Sequence, residues 1–131
     1  MIDVPTIQGW IEKLGFEAAL EGEKTLQIRP RREGGKAPSL PPFFIQCGEH
    51  WVLLSILPLL DARAFRPDDL HRRLLAANRN MRVAKFAIDK NGDLVLCAEL
   101  PTESLDYSEL ADAVERMTEY ARLFDAELMR R

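Results

Sequence analysis

Three stretches of the 131-residue sequence carry residues whose types and spacing could do chemistry. Cys47 and His50, two residues apart, could contribute to a metal site or form a thiol–imidazole couple. A tetrahedral metal site needs two more ligands, and the other donors are Cys97, the single further histidine His71 and scattered carboxylates, so no metal is expected. A thiol nucleophile needs a strand-to-helix elbow or a helix N-terminus to activate it. Cys47 and Cys97 instead sit in apolar, strand-like runs and read as buried or half-buried free thiols. Asp89-Lys90-Asn91-Gly92-Asp93 imitates the start of a calcium loop, but Leu94 stands where that loop needs glycine and Leu100 where it needs glutamate. There is no GxxxxGK[ST] or GxGxxG phosphate cradle, so nucleotide chemistry has no support.

A third group is basic: Arg63, Arg66, Arg72, Arg73, Arg79 and Arg82 crowd around one stretch, while the C-terminal region is mostly acidic. Aromatic residues do not interleave with these arginines and the net charge is −3, which argues against a nucleic-acid binder. The arginines are expected to solvate a helix and to pair with acids of the same or a second subunit. Hydrophobic residues at 47% and charged residues at 30% fit an ordinary globular domain. The N-terminus lacks a basic region followed by an apolar one, and the longest apolar run, residues 51–60, is too short to span a bilayer. A cytoplasmic protein with no membrane association is expected.

The elements that must position these residues are more legible than any chemistry. Asn91-Gly92 between two apolar-alternating runs predicts a β-hairpin over residues 83–100, because both turn residues tolerate positive φ. Phe86, Ile88, Leu94 and Leu96 are expected to face inward, against the first and third helices. Ile7, Trp10, Ile11 and Leu14 recur at helical spacing, with Pro5 in the first turn and Gly15 after the end, which predicts a helix over residues 5–14. Short strands are expected at 16–20, 25–29, 43–46 and 51–57, with Cys47 to His50 forming a turn. Between Pro30 and Pro42 the sequence PRREGGKAPSLPP has no periodicity and reads as a mobile loop. A second helix is expected to start at Pro67, with Leu70, Leu74, Leu75 and Ala77 as its buried stripe. Asp106, three residues before Glu109, resembles a capping box, and Leu110, Ala113, Val114, Met117, Ala121, Phe124 and Leu128 continue as a helical stripe. The run Trp51-Val52-Leu53-Leu54-Ser55-Ile56-Leu57 is apolar on both faces, so the face turned from the core must be covered by another element or another molecule.

That run, ending in Pro58, resembles the apolar middle strand of the YbjN-like family of bacterial proteins. Leu74-Leu75-Ala76-Ala77-Asn78 followed by Ala84-Lys85-Phe86-Ala87-Ile88 is similar to that family's helix-to-hairpin signature, and Asp93-Leu94-Val95-Leu96, Glu99-Leu100-Pro101 and Leu105-Asp106 resemble its last strand and the start of its last helix. The element order is also similar to the type III secretion chaperone-like (Tir chaperone-type) fold. The resemblance implies a non-enzymatic protein, often a homodimer, which in secretion chaperones holds a partly unfolded client on apolar surface; YbjN-like members carry suggested regulatory or chaperone-like roles. It brings no catalytic residues and no cofactor.

The expectation is therefore one α+β domain over residues 1–131, two-layered, with an antiparallel sheet of five or six strands in α-β-β-β(β)-α-β-β-α order. Its function is expected to be protein binding, with a homodimer and a client or regulatory partner contacting Trp51, Leu53, Val95 and Cys97 together with Arg72 and Arg73. The alternatives are a small-ligand or thiol-dependent site near Cys47 and His50, or weak nucleic-acid binding through the arginines of the second helix.

Overall fold

Asp3 starts the first helix, its carboxylate accepting the Thr6 N–H at 2.8 Å, and Gly15 at φ +94° ends it. The structure, a computed structural model, describes residues 2–31 and 40–129. In chain order the elements are α1 (Val4–Lys13), β1 (Phe16–Leu20), β2 (Thr25–Pro30), β3 (Phe43–Cys47), β4 (Trp51–Leu60), α2 (Leu70–Asn80), β5 (Ala84–Ile88), β6 (Leu94–Pro101) and α3 (Tyr107–Leu123), which runs into a π-helical turn (Phe124–Leu128). The strands form one antiparallel sheet in the order β1-β2-β3-β4-β6-β5. The expected loop between β2 and β3 lies largely outside the described residues. No helix among the described residues is long and apolar enough to cross a membrane.

Strand alternation decides which side the helices cover. Leu26 and Ile28 of β2, Phe43 and Ile45 of β3, Val52, Leu54 and Ile56 of β4, and Leu94, Leu96 and Ala98 of β6 are buried against Ile7 and Ile11 of α1 and Leu110, Val114, Met117 and Phe124 of α3. All described helices pack on that face, giving two layers. The β5–β6 turn is built by Asp89, whose carboxylate accepts the N–H groups of Asn91 (2.8 Å) and Asp93 (3.1 Å), while Gly92 takes φ +85°. The Asp89 carboxylate is thus consumed in holding the turn, and that of Asp93 accepts the Ala62 N–H at 2.7 Å.

Four expectations are corrected. Pro67 precedes α2 instead of occupying its first turn, and Asp69, at the cap, makes no capping bond because its carboxylate pairs with Arg73 at 3.0 Å. Leu75 is 71% exposed: Leu70 and Leu74 face the core, and the next residue turns about 100° away around the helix. Ile88 is 52% exposed, because it ends the edge strand β5 beside a groove that α2 does not fill. Cys47 belongs to β3, with its side chain in the core, and not to the following turn. That turn is tight at Gly48, whose N–H donates to the Trp51 carbonyl at 2.9 Å and where a Cβ would stand 2.8 Å from the same oxygen.

Asp106 caps α3 by accepting the Glu109 N–H at 2.8 Å. That bond, with the Ser108 hydroxyl, holds its carboxyl below the usual 3.8, and hydrogen bonds from Thr6 do the same for Asp3. A carboxyl depressed on folding stabilises the native state above its unfolded value and loses that contribution as pH falls through the lower folded one. The thermal midpoint should therefore decline more steeply below about pH 4 in the wild type than in Asp106→Asn, which keeps the acceptor but does not titrate.

Candidate protein-binding surface

The side of the sheet away from the helices is covered by no described element. Register sets its pattern: one row runs Gln27, Phe44, Ser55, Cys97, Lys85 across five strands, and the next runs Thr25, Gln46, Leu53, Glu99 across four. Trp51 lies opposite Pro101 and Val95 opposite Ala87 on the same side. Trp51 is 52% exposed, while Phe44, Leu53, Val95 and Cys97 are half-buried by their neighbours alone. Beside Trp51 and Leu53 a hollow of about 240 Å³ is lined also by Gln46, Gly48 and Glu99. The surface is apolar at its centre and polar along its margins, the composition of a protein interface.

The structure therefore brings Trp51, Leu53, Val95 and Cys97 onto one face. Arg72 and Arg73 do not join them, since α2 lies in the helix layer. Arg73 pairs with Asp69 and donates to the Leu128 carbonyl at 3.0 Å, tying α2 to the C-terminal turn. Arg72 shares the outer side of α2 with Leu75, three residues on, and Arg79 follows four residues later. Next to Leu75 a groove of about 330 Å³ between α2 and β5 is lined by His71, Leu74, Phe86, Ile88 and Leu94. Phe44 and the Leu75–Ile88 groove are the parts that sequence reasoning missed. The alternation after buried Phe43 is the signal that could have found Phe44.

No chemistry assembles around the sulfur atoms. Cys47 is buried in the core and His50 is exposed in the turn, with no hydrogen bond between them. Among the described residues no group of three or more His, Cys, Asp or Glu could hold a metal ion. Burial pushes both thiols above their ordinary value, and for Cys97 the Glu99 carboxylate adds to it, so neither is an activated nucleophile. The two thiols should nonetheless differ in access. Alkylation of the native protein near neutral pH, read by peptide mass, is expected to modify Cys97 on the open face well before Cys47.

The family model YbjN, described as "Putative bacterial sensory transduction regulator", matches residues 6–130. No curated protein matches the chain in sequence. A chain of the heterodimeric ExoU–SpcU complex from the type III secretion system of Pseudomonas aeruginosa superposes with a TM-score of 0.65 at 23% identity, covering 95% of this chain and 98% of that one. A chain of the HopA1–SchA chaperone–effector complex gives 0.60 at 16% identity, with 93% and 96% covered. The E. coli YbjN structure gives 0.65 at 19% identity, with 95% and 93% covered. At these identities the likeness is one of fold, and that fold is the type III secretion chaperone-like one.

Proposed function

Because the chain belongs to the YbjN family, we propose that it is a non-enzymatic protein-binding module, chaperone-like or regulatory, which holds a segment of a partner protein on the open face of its sheet. The observation that carries this reading is the uncovered face itself, with Phe44, Trp51, Leu53, Val95 and Cys97 half-buried or exposed on one side of a sheet whose other side carries the helices and the core. Apolar surface of this kind on a folded protein marks an interaction site. Chains of similar fold come from complexes of one protein with another, including a chaperone with its effector, which supports the reading. Catalysis has no comparable support: burial raises both thiols above their ordinary value, and the acids of the β5–β6 turn are structural.

The exposed apolar residues of α2 and β5 serve a different contact, that of two copies of the chain in a homodimer. Leu75 and Ile88 flank one groove, and Val83, 43% exposed, lies just before β5. Light scattering after size-exclusion chromatography should find a dimer at tens of micromolar. Leu75→Asp should elute as a folded monomer, since Leu75 contributes nothing to the core. A wild type that is monomeric under the same conditions removes the dimer from the account.

A further inference from the structure

The two edges of the sheet are each closed at their centre by a carboxamide side chain from the neighbouring helix, but to unequal degrees. On β5 the Asp89 N–H bonds the Asp93 carbonyl, so Ala87 and Lys85 bond inward to β6 while Ala84, Phe86 and Ile88 turn their N–H and C=O groups outward. At Phe86 both outward groups are taken: Asn78 Nδ2 donates to the carbonyl at 3.0 Å and Asn78 Oδ1 accepts the N–H at 2.8 Å. The side chain of Asn78 thus does what a seventh strand would do there.

On β1 the Glu21 N–H bonds the Thr25 carbonyl and the Arg31 N–H bonds the Gly15 carbonyl, so Phe16, Ala18 and Leu20 present their main-chain groups outward. Gln8 of α1 donates to the Ala18 carbonyl at 2.9 Å. Among the described residues nothing bonds the Ala18 N–H or the outward groups of Phe16 and Leu20. An unguarded edge of this kind is a template for strand addition. Beside its Phe16 end a groove of about 550 Å³ is lined by Leu14, Val114 and Thr118, with Glu115 and Glu119 outnumbering the single Arg122. Glu17 of the strand itself lies on the other side of the sheet, opposite Arg29 of β2.

We propose that Gln8 is a displaceable latch on the β1 edge, and that the edge it guards takes an extended partner strand in which apolar and basic residues alternate, while Asn78 closes β5 to the same use. This deepens the protein-binding reading by naming the edge and the chemistry of the strand. A strand pairing with β1 replaces one Gln8 bond with a ladder to Phe16, Ala18 and Leu20, turns its basic side chains to the helix side, where Glu115 and Glu119 line the groove, and lays its apolar ones on the open face.

The test uses a synthetic peptide, Ac-KVTVKVT-NH2, titrated against the isotopically labelled full chain and followed by amide hydrogen exchange. A second peptide of the same sequence, N-methylated at alternate residues, keeps the side chains and removes the donors. The first peptide is expected to slow exchange at Ala18 and Leu20 and to leave Phe86 unchanged, and the methylated one to fail. Gln8→Ala and Gln8→Met, which differ in helix and packing properties but both lack the donor, should each bind the first peptide roughly two- to tenfold more tightly than the wild type, the worth of one competing hydrogen bond. Unchanged or weaker binding by both variants, equal protection of β5, or no binding to any form overturns the latch. Failure of the broader reading shows elsewhere, in partner capture that ignores the open face.

Discussion

Leu53→Lys is expected to weaken capture of the protein partner by roughly thirtyfold or more, the loss typical of a central contact residue, while leaving the fold intact. Leu53 sits near the middle of the open face, directly between Gln46 of β3 and Glu99 of β6, and its neighbours Val52 and Leu54 point to the opposite side, into the core. A lysine there places a charge where the partner's apolar side chains must lie, and burying an unpaired charge is costly. Within the monomer the same lysine faces Glu99 across the strand pair, an attractive arrangement, so stability is preserved. Binding of the purified partner measured by calorimetry, beside a thermal melt of the variant, separates the two effects. Full binding by a well-folded Leu53→Lys protein would show that the partner lies elsewhere.

The largest effect on stability is expected at Phe124→Ala, with a loss of about 3–5 kcal/mol. Phe124 is 1% exposed, and its ring lies 6.0 Å from that of Phe86 on the edge strand, where it joins the end of α3 to the far side of the sheet. It also opens the π-helical turn whose Leu128 carbonyl accepts from Arg73 of α2. The ring thus joins α3 to β5 and the turn that it opens is tied to α2, so the cavity left by alanine cannot be filled without moving one of these elements. Against a typical total of about 5–15 kcal/mol, that loss is a large share. Urea denaturation should show a lower midpoint with an unchanged slope. Leu75→Ala, on the exposed side of α2, should change stability by no more than about 0.5 kcal/mol.

Most of the fold was legible because local chemistry and burial pattern agreed. Asn91-Gly92 set the β5–β6 turn, Gly15 ended α1, and Asp106 capped α3, each by a bond or φ value that the structure contains. The two-sided apolar character of β4 pointed to a face that the chain does not cover from its described elements, and Trp51, Leu53, Val95 and Cys97 all lie on it. The errors arose where burial depends on the extent of a neighbouring element. Ile88 shares strand parity with Phe86, but only packing beyond the edge strand could bury it, and that packing is missing. Leu75 is apolar and helical, yet it lies outside the arc that touches the sheet. Arg72 and Arg73 were expected to join the open face in a partner or dimer contact, whereas α2 packs in the helix layer on the other side of the sheet. The edge bonds of Gln8 and Asn78 were invisible because carboxamides carry no periodic signal, and their partners are main-chain groups exposed only by register.

The claim that the open sheet face holds the partner is tested most directly by photo-crosslinking. A photoreactive residue at position 55, where Ser55 lies between Phe44 and Cys97, is compared with one at position 112, where Asp112 is exposed on α3 away from the groove beside β1, in the complex with a stoichiometric partner purified from the native host. The account predicts a crosslink from position 55 that is lost with Leu53→Lys, and none from position 112. A crosslink from position 112 with none from position 55 would contradict it.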